Sequence, residues 1–157
     1  MIELFTDGAS SGNPGPGGFG IILRSGNHYK ELSAGYRKTT NNRMELLAVI
    51  VGLETIKKPN QVIKIYSDSK YVIDAIEKKW VFGWVQKGFA GKKNKDLWLR
   101  LLPLLMVHQI TFFWVKGHNG HPENERCDEL AVAASKQKEL LVDQIFESTS
   151  EETKKLL

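Results

Sequence analysis

Only one cysteine, Cys127, occurs in the 157 residues, so no intramolecular disulfide can form. That excludes the stapled secreted scaffolds and suits a reducing compartment. No apolar run approaches the ~18–20 residues that cross a bilayer. The opening Met1-Ile2-Glu3-Leu4-Phe5 has neither a basic n-region nor an apolar h-region, so no secretion signal is expected there. No internal repeat is visible, which argues against a solenoid. What is there is ordinary: 41% hydrophobic and 25% charged residues, enough chain to bury one core without staples. The expectation is a single-domain, cytoplasmic protein.

Acids are also missing where lysines are dense. From Lys78 to Lys95 there are six lysines and no acid, within a net charge of +4 for the whole chain. Residues 139–157 reverse the balance, with five acids against two lysines. A basic segment carrying Trp80, Phe82, Trp84 and Phe89 resembles a polyanion surface with stacking platforms. A solvated lysine-rich loop is the plainer alternative.

Periodicity orders the rest. Alternation from Ile2 predicts a strand ending near Asp7, and Gly12-Asn13-Pro14-Gly15-Pro16-Gly17-Gly18 reads as a turn. Phe19 to Arg24 and His28 to Tyr36 make a hairpin across Ser25-Gly26-Asn27. A helix capped at Asn41 or Asn42 follows, apolar on much of its surface and so expected deep against a sheet. Val62 to Tyr66 is a strand, and Ser69 to Ile76 a helix. Beyond the lysine-rich loop, Asp96 can cap a helix that Pro103 should kink or end. Ile110 to Val115 is the last strand, and Pro122 fits the first turn of a final helix through Ala133. The order βββαβ, helices, then βα predicts an α/β fold with a mixed sheet and helices packed on it. Residues from about 142 onward read as a polar tail, helical or frayed.

Four acids stand out within this order. Asp7 and Asp68 fall at strand ends, and project from one sheet edge if their strands are parallel neighbours. Glu45 shares a helix face with Ala48, Val49 and Gly52, so it points toward the sheet, where a cation would compensate it. Asp128 lies beside Cys127, Ala131 and Ala134 on the last helix. Each has a plainer role: a turn aspartate, a helix cap, a capping-box glutamate begun at Asn42, a charge near a helix N-terminus. Clustered together, four carboxylates would repel unless divalent cations joined them. Oxygen-only ligation suits Mg²⁺, and two such ions about 3.5–4 Å apart form a phosphodiester-cleaving clamp.

The motifs that carry these acids occur in a recognisable sequence. Phe5-Thr6-Asp7-Gly8-Ala9, the Gly-Asn-Pro-Gly-Pro-Gly-Gly segment, Thr39-Thr40-Asn41-Asn42-Arg43-Met44-Glu45-Leu46 and Tyr66-Ser67-Asp68-Ser69 precede Trp114-Val115-Lys116-Gly117-His118-Asn119-Gly120-His121-Pro122-Glu123-Asn124-Glu125-Arg126-Cys127-Asp128. Together they resemble bacterial type 1 ribonuclease H over about residues 1–140, leaving 141–157 as an acidic tail. The resemblance implies the ribonuclease H-like fold, a five-stranded sheet with three antiparallel strands joined to parallel ones and flanked by helices. It implies a monomeric endonuclease that cuts the RNA strand of RNA–DNA hybrids, leaving 5′-phosphate and 3′-hydroxyl ends. Two Mg²⁺ ions, with Mn²⁺ as a substitute, would be its cofactors. Asp7, Glu45, Asp68 and Asp128 match the metal-binding acids, and His118 matches a mobile histidine that helps proton transfer or product departure. His121 is read as structural. Asn13, Thr40, Asn41 and Asn94 resemble polar residues along the hybrid's phosphates and minor groove. Trp80, Trp84, Lys87, Lys92 and Lys93 fall in the family's basic protrusion toward the DNA strand.

Departures are specific. Lys38 stands where many relatives have arginine, and loses bidentate phosphate contact. Lys70 replaces a common glutamine, and the protrusion is shorter and less basic. A DNA nuclease or resolvase on the same fold would also cluster acids, and an inactive hybrid-binding domain would lack at least one of them. The His118 loop, the 39–45 motif and the presence of all four acids favour the ribonuclease.

Overall fold

The computed structural model describes residues 1–116 and 120–149. Five strands form one sheet in the order β3-β2-β1-β4-β5. Strand β1 (Ile2–Ser10) pairs antiparallel with β2 (Gly15–Ser25), and β2 antiparallel with β3 (His28–Thr39). On its other side β1 runs parallel to β4 (Val62–Ser67), which runs parallel to β5 (Gln109–Trp114). The helices are α1 (Asn41–Thr55), α2 (Lys70–Glu77), α3 (Trp80–Gln86), α4 (Lys95–Val107) and α5 (Pro122–Ser135). This is the mixed α/β sheet the sequence pattern predicts.

The two faces of the sheet are filled differently. Leu4, Ile21, Ile63 and Ile65 point into a core with α1, which buries Met44, Leu46, Leu47 and Ile50 at once. A helix buried on nearly every side matches its apolar circumference. Phe5 and Ile22, alternate residues on the same strands, meet Cys127 of α5 on the opposite face. Burial there pushes the Cys127 thiol up, away from the reactive thiolate form.

Several sequence expectations need correction. Strand β1 does not end at Asp7 but continues to Ser10, because β2 offers partners as far as Gly17. The glycine-rich stretch is not all turn. Gly15 to Gly18 lie in β2, where a Cβ at Gly18 would press on the carbonyl oxygen of Ala131 in α5. Thr40, not Asn41 or Asn42, caps α1, its hydroxyl accepting from the Arg43 backbone N–H, so no capping box begins at Asn42. The lysine-rich segment is partly helical, because α3 buries Val81 and sets Trp84 edge-on against Trp98 at 5.9 Å. Asn94, in a left-handed conformation, precedes α4 instead of an Asp96 cap. Pro103 neither ends that helix nor faces the core. It is exposed, where the carbonyl it leaves unpaired can be hydrated, and the helix continues to Val107.

Residues 141–149 dock on the fold. Leu141 bridges the edge of β3, its N–H donating to Gly35 and its carbonyl accepting from Arg37. Buried Asp143 then accepts from Thr39 Oγ1 at 2.8 Å and from Arg43 at 2.7 and 2.8 Å. Residues 144–149 are helical.

Candidate active site

Strand register does most of the placing. In the parallel ladder Phe5 stands opposite Tyr66, so Asp7 and Asp68, each two residues further on, emerge side by side at the carboxyl end of their strands. Open α/β sheets bind ligands at that edge. Two glycines then let helices close in from both faces. A Cβ at Gly8 would lie 2.5 Å from the backbone nitrogen of Glu45, so only glycine lets α1 bring Glu45 against Asp7. Gly20 is the cross-strand partner of Asp7, and a Cβ there would overlap the carbonyl oxygen of Cys127. Bare backbone at Gly20 therefore admits α5 beside Asp7, with Asp128 next in its chain.

Ligating oxygens of Asp7, Glu45 and Asp68 lie within 4.8 Å of one another. Asp128, half-buried, stands outside that group, although its charge acts on Asp7. Burial pushes the Asp7 carboxyl up to about 8, with the charge of Asp68 adding to the effect. Glu45 is raised well above the usual range, first by burial and then by the charges of Asp7 and Asp68. Glu45 Oε2 and Asp68 Oδ1 are both buried without a hydrogen-bond partner among the described residues. Buried carboxylate oxygens left unpaired at close quarters are costly unless a cation takes them. An all-oxygen donor set of this kind fits a hard divalent ion, so the acidic group could hold a metal.

The other sequence candidates fall into two places. Asn13, Thr40 and Asn41 meet at the start of α1, where Asn13 Oδ1 accepts from the Asn41 backbone N–H at 3.1 Å. Asn13 precedes a cis peptide bond to Pro14. Trp80, Lys87, Lys92 and Lys93 are exposed on and after α3. Lys78 Nζ lies 5.1 Å from the Trp80 ring centre, and Lys92 Nζ 5.2 Å from that of Trp84. Trp84 is half-buried and packed edge-on against Trp98, so part of its ring is already in use. Asn94 is likewise engaged, donating to the Tyr71 hydroxyl and accepting from Arg43. His118 lies outside the described residues. His121 caps α5, its Nδ1 accepting from the Asn124 N–H, in keeping with a structural reading.

Two supports of the site escape sequence reasoning. Arg43, two residues before Glu45, is buried and binds Asp96 and Asp143 from segments 53 and 100 residues away. The only available signal is a second charged residue beside Glu45 at the head of a largely apolar helix. Trp114 donates its indole N–H to the backbone oxygen of Asp68 at 3.2 Å, joining β5 to the turn that carries that acid. No local pattern announces that contact.

Compared with known proteins, residues 1–136 match the family model for RNase H. The chain is 58% identical over 147 residues to a ribonuclease H of Desulforamulus reducens, which covers 90% of this chain and 92% of that protein. It is 51% identical over 157 residues to a ribonuclease H of Rippkaea orientalis, covering 97% and 96%. Among solved structures it resembles LC9-RNase H1, a type 1 RNase H with the type 2 active-site motif. The TM-score is 0.74 at 28% identity, over 85% of this chain and 71% of that one. LC11-RNase H1, solved in complex with an RNA/DNA hybrid, shares the fold with a TM-score of 0.62 at 23% identity, over 85% and 96%.

Proposed function

This chain belongs to the ribonuclease H family, and from that membership we propose that it hydrolyses the RNA strand of RNA–DNA hybrids, leaving 5′-phosphate and 3′-hydroxyl ends. The observation that carries the reading is the convergence of Asp7, Glu45 and Asp68, with buried oxygens of Glu45 and Asp68 still unpaired. These three acids, with Asp128 from α5, are the ligands for two Mg²⁺ ions, for which Mn²⁺ can substitute. When bound, the ions supply a lowered pKa for attacking water and charge stabilisation at the phosphate.

The remaining residues orient and hold. Asn13, Thr40 and Asn41 present polar groups at the start of α1, where the Asn13 and Asn41 amides and the Thr40 hydroxyl have donors to offer a phosphate. Trp80, Lys87, Lys92 and Lys93 face solvent on the basic protrusion and track the DNA backbone, with Trp84 and Asn94 buttressing them from the core side. His118 passes a proton near the scissile phosphate, a role that rests on motif resemblance. Residues 1–140 carry the catalytic site of a monomeric cytoplasmic enzyme, and the acidic segment that follows is held to that domain through Leu141 and Asp143. No helix among the described residues is long and apolar enough to cross a membrane.

The test is incubation of the purified chain with labelled RNA–DNA hybrid, RNA duplex and DNA duplex, with and without Mg²⁺. Cleavage of the hybrid alone, dependent on Mg²⁺, is the expected result. Cleavage of the DNA duplex would favour a DNA nuclease, and binding without cleavage an inactive hybrid reader.

A further inference from the structure

Helix α5 packs on β1, β2 and β3, and beyond it the aromatic residues Tyr66 of β4 and Phe113 of β5 are only partly covered. On that face three aromatic side chains stand in register. Phe5 pairs with Tyr66 across one ladder and Tyr66 with Phe113 across the next. Their rings stack at 4.8 and 5.1 Å, with interplanar angles of 13° and 18°. The stack starts in the core at Phe5 and ends in solvent at Phe113, which is 37% exposed. Beside its open end lies a cleft of about 410 Å³, lined by Tyr66, Phe113, Trp114, Lys116 and His121 among others.

Charge around the stack is uneven. At the buried end Arg24 covers Phe5 and is held by Glu3 and Glu123. At the open end Lys64 Nζ lies 5.8 Å from the Phe113 ring centre and Lys70 Nζ 4.4 Å from that of Trp114, with exposed Lys116 alongside. None of these three lysines is in an ion pair among the described residues. The cleft also adjoins the acids, because Trp114 is bonded to the Asp68 backbone.

We propose that this face binds a single-stranded stretch of the RNA strand where it leaves the hybrid beside Asp68. An exposed ring extends its stack with any base that has a free face, and free ammonium groups around it neutralise the connecting phosphates. Bases inside the duplex have no free face, so the occupant is unpaired. Its identity as the RNA strand rests on the proposed activity, in which the strand at Asp68 is the one cut. An apolar protein partner fits less well, since docking it would strip water from three unpaired lysines.

The experiment measures anisotropy of labelled hybrids without Mg²⁺, comparing a blunt hybrid with one bearing a short single-stranded RNA extension. The extension is expected to tighten binding by about tenfold. Phe113→Ala should erase that gain while blunt-hybrid binding and Mg²⁺-dependent cleavage stay at the wild-type level. Phe113→Tyr, which keeps a stacking ring, should retain the gain and guards against a folding artefact. Equal affinity of the wild type for both hybrids overturns the proposal, as does an undiminished preference in Phe113→Ala. Loss of the blunt-hybrid affinity in Phe113→Ala to the same degree would also overturn it, by making the residue a general support. Failure of the wild type to cut the blunt hybrid would instead remove the proposed activity, a result read separately from metal-free binding.

Discussion

Arg43 and Glu45 stand two positions apart on α1, both buried, and the protein compensates their charges in opposite ways. Arg43 has its counter-ions built in: Asp96 at 2.7 Å from α4 and Asp143 at 2.7 Å from the C-terminal segment. Burial works against its charge, but the hydrogen bonds it donates to the two aspartates outweigh that and raise its pKa. Glu45 has other acids for neighbours, and one of its oxygens bonds to nothing described. One cluster is closed and ties three distant segments together. The other leaves buried oxygens of Glu45 and Asp68 unpaired and could hold a cation. A buried charge supplied with partners by the chain acts as structure, whereas one left short of a partner is where a ligand belongs.

The sharpest way to break this contrast is to remove charge from the open cluster at constant shape. Asp7→Asn and Asp68→Asn should each lower hybrid cleavage by at least about 10³-fold, because metal ligation supplies several kcal/mol of the barrier reduction. Hybrid binding, measured without Mg²⁺, should be largely intact. Near-normal Mg²⁺-dependent turnover in either variant would remove these acids from the metal site.

The closed cluster should respond in stability instead. Arg43→Ala leaves Asp96 and buried Asp143 facing each other uncompensated, and should destabilise the fold by about 3–5 kcal/mol. The docked 141–149 segment should become sensitive to proteolysis, while turnover per folded molecule at low temperature stays within about tenfold of wild type. A urea melt that moves by less than about 1 kcal/mol would mean that the triad contributes little net stability.

How far the two clusters were legible in sequence follows the same line. Asp7, Glu45 and Asp68 sit in local motifs at predictable element ends, and strand register, once parallel pairing is granted, brings them together. Motif order groups Asp128 with them; it lies outside the set whose oxygens are within 4.8 Å of one another, while its charge still acts on Asp7. Arg43 carries no such signal, because its partners lie on segments that no periodicity connects to α1. The docking of Asp143 was hidden for the same reason: a polar stretch near a chain end reads as solvated until a buried partner is known. Among the elements, α3 is hard to read in sequence because it is seven residues long, holds a glycine and has no side-chain cap. The strand character of Gly15 to Gly18 is hidden because a glycine run reads as a turn, whereas Gly17 makes room for β1, β3 and α1, and Gly18 for α5.

A subtler effect separates the clusters in the absence of metal. Crowded carboxylates cost stability when no cation is present, so Asp7→Asn should stabilise the metal-free protein at neutral pH by about 1–3 kcal/mol. Saturating Mg²⁺ should raise the melting temperature of the wild type and leave that of Asp7→Asn nearly unchanged. A metal-free Asp7→Asn that melts below the wild type would mean that Asp7 holds a structural hydrogen bond worth more than the repulsion it creates.

The smallest expected signal is a pH slope, and its sign differs between the clusters. Asp7, pushed up to about 8, and Glu45, raised well above its usual range, bind protons in the folded state that they release on unfolding. Their contribution to stability is therefore complete at low pH and is lost as pH rises through about 8. Asp96 runs the other way. Burial alone would raise it, but hydrogen bonds and charge from Arg43 outweigh that and hold it below its usual value. What Asp96 contributes is present above about pH 4 and is lost only as pH falls below that. Between about pH 6 and about pH 9 the closed cluster should thus be silent, and the open one should make metal-free stability decline by at most about 1.4 kcal/mol per pH unit for each titrating acid. Saturating Mg²⁺ should flatten the decline, since ligated carboxylates have already given up their protons. Thermal melts across that range, in chelator and in Mg²⁺, separate the two clusters in one data set. A metal-free melting temperature that rises from about pH 6 to about pH 9 would show that the acids are ionised and compensated without a cation, and the contrast with Arg43 would fall.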